Sequence, residues 1–461
     1  MNYEKILDDF VNEEIELSSY ENMEEVRELC LKTIDIISKN EDSTPEEIIE
    51  EIIEDDMAYM EELRRNYSIP GYTIGINVGN INVKYFGGLM SSNGPEMRED
   101  AMYDIASMTK MYTEVILYNL MKEGYFTKDS KVKDLDPRFI NLDDVTMGEL
   151  MEFSLDFVTD GNITTMTDVD KIREKLFEIK VKTYDDGNQA RNKYVYTDFG
   201  MMIAKEVMEN ITGKSYSELF DEYIGNKLGL EETKLIIPDD KKILLTGSPN
   251  VEYGRVNDPK ASAVGGFSGH AGIFASNDDI VKFAKGMEDG TVLDEESQKD
   301  AYTPSKFKFN RGVMGNTYIK TSDGLTSSGI ASISPNDEFN FQGSTRVESN
   351  VSKVAVSNIL FNPGSLSIEE AEEKERKLNE ELTAKGEKPI SIVKHFEYNE
   401  NGLLIPCHVI DPRKLLPITK LDPIKEMNAR TSIRLRLLNK FISSYEPNYD
   451  KEINVSKKAS K

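Results

Sequence analysis

The chain has 461 residues, enough for two or three domains with a large buried core. It carries 56 Lys and Arg against 83 Asp and Glu, and this net charge of −27 would be repelled by nucleic acid and by anionic membranes. No apolar run approaches the ~20 residues that span a bilayer, and the first ten residues lack the basic and apolar regions of an export signal. We expect no nucleic acid partner, no membrane insertion and a cytoplasmic location.

Residues 1–65 are predicted to form an acidic helical N-terminal extension. They contain 6 Lys or Arg and 22 Asp or Glu, a net charge of −16. Thr44 as N-cap, Pro45 as the first helical residue and Glu47 closing a capping box are typical of a helix start. Apolar residues then recur at helical spacing over 48–63. This stripe predicts packing, either on the rest of the chain or on a partner protein.

A strand hairpin is predicted after this helix. Apolar residues alternate with other residues over 74–78 and again over 81–85, with a Gly-Asn turn between the two runs. Residues from about 125 to 250 have the pattern of helices and loops, and residues 310–364 return to strand-like alternation. Strands at both ends with helices between them predict a mixed α/β fold.

The segment with the most chemical information is Ser107-Met108-Thr109-Lys110, at the head of a predicted helix. Residues three apart on a helix share a face, so the hydroxyl and the amine are expected to meet. A neighbouring amine that is not fully protonated can accept the serine proton and so make acyl transfer possible. The backbone N–H groups at a helix start can also stabilise an oxyanion. The same spacing occurs by chance in many surface helices, so the surrounding sequence decides its meaning.

Four segments between residues 66 and 364 give this serine a family context. They are SIPGY at 68–72, DIASMTK at 104–110, YVYTDFG at 194–200 and VGGFSGHAGIF at 264–274. In this order they resemble the serine β-lactamase and penicillin-binding-protein superfamily, above all its class C and esterase-like branch. The resemblance implies a mostly antiparallel sheet flanked by helices, with an inserted helical domain and an active site in the cleft between them.

The resemblance also divides the chain. We expect a β-lactamase-like serine hydrolase domain at 66–364, with its helical subdomain at about 125–250. Residues 365–461 lie outside the resemblance and form a C-terminal extension of unknown role. Within it, residues 430–442 predict a basic helix with an apolar side, and the residues from Val455 onward are expected to be disordered.

The two predicted extensions differ in charge. The C-terminal one carries 18 Lys or Arg and 16 Asp or Glu, a net charge of +2. Because the N-terminal one is strongly acidic, the two could attract each other.

The resemblance assigns catalytic roles to three residues. Ser107 would attack a carbonyl carbon and become an acyl-enzyme, and Lys110 would assist the loss of the serine proton. Tyr196 stands at the tyrosine of the family's Tyr-x-Asn element, where a phenol beside cations can act as the base. Asp198 replaces the asparagine of that element. A carboxylate near Lys110 favours the charged ammonium, so we expect Tyr196 to accept the proton while Asp198 and Lys110 form a positioning pair.

The third element of the family, Lys or His followed by Thr or Ser and Gly, matches weakly. Gly343 can stand for the glycine that lets substrate approach the strand, and the N–H of Ser344 for the second oxyanion donor. No Lys or His precedes them; Arg346 could replace the cation from nearby, whereas Gln342 could only donate a neutral hydrogen bond. Substrates with a terminal carboxylate, including β-lactams and cell-wall peptides, are therefore disfavoured.

A similar stretch at Lys320-Thr-Ser-Asp-Gly324 lies too early in the chain for the third element, and its glycine is misplaced.

His270 is the only histidine in the matched region. It allows either a Ser–His–acid triad or a structural turn of the kind that the esterase-like members have, and the second alternative is preferred. The three histidines of the chain are scattered, and the two cysteines, Cys30 and Cys407, lie far apart. No metal site, disulfide framework or cofactor is expected.

The sequence therefore predicts a serine hydrolase that forms an acyl-enzyme on an ester or amide of a small molecule or peptide. Two alternatives remain open: a β-lactamase or D-alanyl-D-alanine carboxypeptidase, and a non-catalytic relative that binds a partner through its cleft or its extensions.

Overall fold

The computed structural model describes most of the chain before residue 302 and selected elements after it. The described residues are 7, 10, 23–40, 42–66, 71–90, 95–238, 256, 258–301, 317–321, 324–328, 339–346, 351–358, 376–377, 379–380, 383–384, 393–398, 404–410, 423–446, 449 and 451–459. The helices are α1 Met23–Lys39, α2 Pro45–Asn66, α3 Thr109–Lys122, α4 Val132–Leu135, α5 Met147–Met151, α6 Val169–Phe177, α7 Phe199–Thr212, α8 Tyr216–Phe220, α9 Asn226–Leu228, α10 Pro259–Ala263, α11 Asn277–Glu288, α12 Glu295–Ala301 and α13 Pro423–Tyr445. Within these ranges, no helix has the length and apolar character needed to cross a bilayer.

The strands form one large sheet and several small ones. They are β1 Gly71–Val78, β2 Ile81–Gly88, β3 Met102–Asp104, β4 Phe157–Val158, β5 Lys180–Val181, β6 Thr233–Lys234, β7 Phe274–Ser276, β8 Thr317–Thr321, β9 Gly324–Ser328, β10 Phe339–Arg346, β11 Val351–Asn358, β12 Val393–Tyr398, β13 Leu404–Ile410 and β14 Ile453–Lys458. The large sheet has the order β14-β2-β1-β11-β10-β9-β8. Its pairs are antiparallel except β14 with β2. The predicted mixture of helices with a mostly antiparallel sheet is confirmed.

Helices cover both faces of the large sheet. A side chain at Gly75 of β1 would collide with Asn277 and Val281 of α11, so that face of the strand lies directly under α11. Ile74 and Ile76 point to the other face, because side chains alternate along a strand, and they join a core with α2 and α13. Every residue of β1 is therefore buried.

The described chain has two large hydrophobic cores. One lies under the sheet and combines apolar residues of α1, α2, β1, β2, α13 and β14. The other combines the helices and loops between residues 86 and 301. Elements from both predicted extensions thus contribute to the sheet layer, whereas the predicted domain boundaries themselves stay predictions.

The C-terminal residues differ from expectation. The prediction of disorder from Val455 onward is wrong for β14, which pairs in parallel register with β2 from Ile453↔Ile81 to Lys458↔Phe86. Ile453 and Val455 are buried while their neighbours are exposed, as one face of a strand requires. A short polar segment becomes ordered here because the open edge of β2 offers it backbone hydrogen bonds.

A buried arginine joins the two ends of the chain. Arg434 of the predicted basic helix is fully buried in α13, and its Nη1 lies 2.6 Å from both Asp55 Oδ2 and Asp56 Oδ1 of α2. Its Nε donates to Thr33 Oγ1 at 3.1 Å, and Arg430 Nε lies 2.6 Å from Asp56 Oδ1. The predicted attraction between acidic and basic ends is thus realised as an ion-pair network inside the protein.

Replacing Arg434 by Met should destabilise the protein by ~3 kcal/mol or more, because it removes one of the two arginines that bond the buried Asp56 carboxylate. Urea unfolding followed by far-UV circular dichroism measures the change. Lys39→Met, which removes the solvent-exposed ion pair with Asp35, is the matched control and should leave the midpoint unchanged. Equal midpoints for Arg434→Met and wild type would contradict the assigned role.

Glu114 of α3 is a second unusual ionisable group in the core. It is buried, and neither carboxylate oxygen has a hydrogen-bond partner among the described residues. Burial raises the pKa of Glu114 far above its ordinary value; Lys128 opposes this shift and Asp300 adds to it. The folded protein therefore holds a proton that the unfolded chain releases.

Glu114 should make the protein less stable as pH rises. Its folded pKa is raised, so the free energy of unfolding is highest below the unfolded pKa and falls with increasing pH. Glu114→Gln removes this dependence, and the variant should gain stability relative to wild type between pH 5 and pH 8. Urea unfolding at both pH values tests this; a difference between variant and wild type that does not change with pH would refute it.

Candidate active site

Ser107 and Lys110 meet at the start of α3. Ser107 lies in the 3-10 turn Ala106–Met108 directly before the helix, and Lys110 lies in the first helical turn. Lys110 Nζ is 2.8 Å from Ser107 Oγ. The shared face that the spacing predicts is therefore present.

Threonines on α3 hold it against the glycine-rich loop 268–273. Thr109 Oγ1 accepts a hydrogen bond from Ile273 N at 3.3 Å, and Thr113 Oγ1 donates to Gly269 O at 2.6 Å. Gly269 has φ +78°, and a Cβ there would lie 2.7 Å from Met201 O of α7. Only glycine lets the loop pass between α3 and α7 at this distance.

The ammonium of Lys110 lies among several hydrogen-bond acceptors. Besides Ser107 Oγ, it contacts Asp198 Oδ1 at 2.9 Å and His270 O at 3.3 Å. A lysine ammonium has three N–H donors and no acceptor, so all three are used. Burial disfavours the charge, but Tyr196 and Asp198 outweigh it and raise the pKa of Lys110 above its ordinary value. Lys110 therefore donates to Ser107 as a cation.

Asp198 lies between two lysines. Its Oδ1 accepts from Lys110, and its Oδ2 accepts from Lys260 Nζ of α10 at 2.9 Å. Burial works against its charge, but Lys110, His270 and Lys260 outweigh that effect and hold the pKa of Asp198 well below its ordinary range. The predicted positioning pair of Asp198 and Lys110 is present in this geometry, with Lys260 as a third member.

Tyr196 stands at the open side of this cluster. The centroid of its ring is 4.8 Å from Lys110 Nζ, and 44% of the residue is exposed. The ring stacks on Phe153, with centroids 5.6 Å apart and planes 11° apart. Phe153 has φ +52°, a strained value for a residue with a side chain, and its carbonyl accepts from Val195 N at 2.7 Å. The strained turn thus fixes Tyr196 next to both Lys110 and solvent.

His270 supports the site through its backbone. Its buried ring bonds Ser268 Oγ through Nδ1 and Asp258 Oδ1 through Nε2, both at 2.8 Å. Its carbonyl oxygen receives the hydrogen bond from Lys110. The structural alternative for His270 fits these contacts, and a triad in which its ring faces Ser107 does not.

Asp258 and Lys260 were not among the predicted site residues. Asp258 is the N-cap of α10 and accepts from the backbone N–H groups of Lys260 and Ala261 at 2.9 and 2.8 Å. The sequence Asp258-Pro259, an N-cap followed by proline at N1, could have predicted this helix start. No local pattern points to the Lys260 ammonium, because its partner lies 62 residues away.

One group of side chains near Ser107 has the composition of a metal site. Ligand atoms of Asp198, Asp258 and His270 lie within 4.8 Å of one another. Both Asp198 oxygens are bonded to ammonium groups, and Asp258 is bonded to His270 and to the backbone of α10. These bonds already balance the charges, so we interpret the group as part of an ion-pair cluster.

The two predicted substrate-binding residues on the sheet lie in the middle of β10. Gly343 is opposite Val354 of β11, and Ser344 is opposite Lys353 of β11 and Ser328 of β9. Their roles at the oxyanion stay predictions. In the weaker match that begins at Lys320, Lys320 and Thr321 lie at the end of β8, Gly324 begins β9, and Thr321 pairs with Gly324.

The sequence matches the Beta-lactamase family over residues 49–322, well over half of the chain. The chain belongs to the Beta-lactamase family. The matched stretch includes Ser107, Lys110, Tyr196, Asp198, Lys260 and His270.

Curated relatives match part of this region. A protein of Escherichia coli (strain K12), provisionally named a D-alanyl-D-alanine carboxypeptidase, is 27% identical over 240 residues. A protein of Salmonella enteritidis PT4 with the same provisional name is 25% identical over 291 residues. The matches cover 45% and 53% of this chain, and 55% and 66% of the relatives, so the chain spans only part of their length.

Solved structures share the fold at low identity. A class C β-lactamase is 13% identical with a TM-score of 0.57, over 68% of this chain and 92% of that one. An octameric penicillin-binding-protein homologue from Pyrococcus abyssi is 14% identical with a TM-score of 0.55, over 73% and 78%. A D-amino acid amidase from Ochrobactrum anthropi SV3, complexed with L-phenylalanine amide, is 16% identical with a TM-score of 0.50, over 67% and 90%.

Replacing Asp198 by Asn should lower the free energy of unfolding at pH 7 by ~2 kcal/mol, because two ammonium groups lose their carboxylate. The folded pKa of Asp198 is depressed, so this contribution is present above the unfolded pKa and shrinks as pH falls through it. Urea unfolding at pH 7 and pH 3 should show a smaller difference between the two proteins at pH 3, since the contribution is lost completely only as pH falls through the folded pKa. A difference in free energy of unfolding that is the same at both pH values would contradict the ion pairs assigned to Asp198.

Proposed function

We propose that this protein is a serine hydrolase that acts through an acyl-enzyme. The observation that carries the proposal is the bond from the buried Lys110 ammonium to Ser107 Oγ, with Asp198 holding the lysine from its other side. A serine oxygen that faces a fixed cation is stabilised as it becomes an alkoxide. Membership of the Beta-lactamase family supports the same chemistry.

In the proposed first step, Tyr196 releases its phenolic proton to solvent, Ser107 Oγ attacks a carbonyl carbon, and the serine proton passes to the Tyr196 oxygen. Lys110 is a poor acceptor here, because it is charged and its three donors are engaged. The ring of His270 bonds other partners. Tyr196 lies beside both Lys110 and solvent, and we therefore propose it as the base.

In the following steps, the tetrahedral intermediate collapses, the leaving amine or alcohol takes the proton from Tyr196, and the acyl group stays on Ser107. Tyr196 then accepts a proton from water while that water attacks the acyl carbon. The bond to Ser107 breaks, Ser107 recovers its proton, and the acid product leaves.

The substrate that we propose is an ester or amide of a small molecule or peptide. The similarity to an amidase that was crystallised with an amino-acid amide supports an amide. The provisional names of the curated relatives favour a second candidate, a D-alanyl-D-alanine carboxypeptidase or β-lactamase. The lack of Lys or His before Gly343 favours the first. A non-catalytic binding relative is the third candidate.

A fluorophosphonate probe tests the nucleophile. Wild type should be labelled and Ser107→Ala should not, because the probe bonds to an activated serine oxygen. Tyr196→Phe should slow labelling by ~100-fold, since it removes the proposed base. Tyr125→Phe removes the hydroxyl of a similarly exposed tyrosine, 40% exposed, and should label at the wild-type rate. In-gel fluorescence over time gives the rates.

The outcomes separate the three candidates. Labelling that persists in Ser107→Ala would place the nucleophile elsewhere. Labelling of Ser107 by a fluorescent penicillin as well would favour the cell-wall candidate. A folded wild-type protein that reacts with neither probe would favour the binding relative and reject the hydrolase.

A further inference from the structure

Lys260 is the part of the cluster that no catalytic step uses. Its Nζ contacts Asp198 Oδ2 at 2.9 Å, on the side of the carboxylate opposite Lys110. The side chain is 30% exposed, so it joins the buried cluster to solvent. Its backbone is held because its N–H donates to the N-cap Asp258 at 2.9 Å. An ammonium in a fixed place next to a functional carboxylate can set the charge of the site.

The charges around Asp198 come from several elements. Lys110 reaches it from α3 and Lys260 from α10, and Tyr196 lies on the other side of Lys110. The carboxylate of Asp258 faces the His270 ring, which bonds it at 2.8 Å.

Lys205 of α7 also packs against the glycine-rich loop 268–273. A Cβ added at Gly269 would lie 2.9 Å from the Cβ of Lys205. Its ammonium is already paired with Glu206 at 3.2 Å and Glu209 at 2.7 Å. Asp198 is therefore bonded by two lysines, and with Asp258 the cluster contains two ammonium groups and two carboxylates.

Without Lys260, the full charge of Asp198 would act on Lys110 and the Ser107 oxygen. The loss of one positive charge makes it harder for any neighbouring group to release a proton, whether that group is Ser107, Tyr196 or Lys110. The direction of this effect is the same whichever residue is the base, and it does not depend on the protonation state of His270.

We propose that Lys260 is a positioning residue of this site, which offsets the charge of Asp198 so that Ser107 loses its proton readily. This inference rests on the proposed serine hydrolase function. It concerns a residue that acts through Asp198 and is not required to touch the substrate. The opposing interpretation is a partly exposed ion pair with no effect on chemistry, as many such pairs are.

The test is the pH dependence of the fluorophosphonate labelling rate. In Lys260→Met, the acid limb of the profile should move to higher pH by about one unit, which corresponds to ~10-fold slower labelling at pH 7. Lys260→Arg keeps the charge and should restore the wild-type profile. Lys214→Met is the matched control, because Lys214 is paired with Glu222 and neither residue belongs to the Ser107 cluster. The pH profile of this variant should be that of wild type.

A double variant separates electrostatics from folding. Asp198→Asn combined with Lys260→Met removes one charge of each sign, so the limb should return towards its wild-type position. A structural defect would instead persist or grow in the double variant. Thermal melting of each variant confirms folding, and Lys260→Gln replaces the methionine variant if the latter does not fold.

The inference is overturned if Lys260→Met has the wild-type profile, if Lys260→Arg is as slow as Lys260→Met, or if the defect remains unchanged in the double variant. If wild type is labelled and Lys260→Met has the same pH profile, the role of Lys260 is rejected and the serine hydrolase proposal is retained. Wild type that does not label at any pH would reject the hydrolase and this inference together.

Discussion

The buried ammonium of Lys110 is the constraint around which the site is built. A lysine charge removed from water is stable only when acceptors replace its hydration, and here Ser107, Asp198 and the His270 carbonyl provide them. These acceptors come from the start of α3, the residue before α7 and the glycine-rich loop. The three segments must meet at one point, so the packing that brings them together also positions the serine oxygen next to a cation.

The sheet layer contains a second buried cation that is paired with carboxylates. Arg434 of α13 is buried against Asp55 and Asp56 of α2, nearly 380 residues away along the chain. In both clusters a buried cation is balanced by carboxylates from a distant segment. At Arg434 the result is a connection between the chain ends under the sheet, and at Lys110 it is the proposed active site. At Lys110 the cation also bonds a serine oxygen, and Tyr196 and Lys260 extend from that cluster to solvent.

Local patterns explain the predictions that the structure confirms. The β1–β2 hairpin follows from alternation and a Gly-Asn turn, and α2 follows from its capping box and apolar stripe. The meeting of Ser107 and Lys110 follows from the pitch of one helical turn. Each of these depends on residues within a few positions of one another. The local sequence does not predict that β14 is an ordered strand, because this polar segment gains a partner only when the edge of β2 is already in place.

The sequence by itself determined which side chains could do chemistry: a serine and a lysine one turn apart, a tyrosine and an aspartate two residues apart, and segments in the order of a known family. Only the tertiary structure decided how their charges balance. It placed Lys260 on Asp198 and turned the His270 ring towards Asp258. The physical reason is that helical pitch and strand alternation act over a few residues, whereas a buried charge is satisfied by whichever segment folding brings within hydrogen-bond distance, and no local spacing encodes that choice.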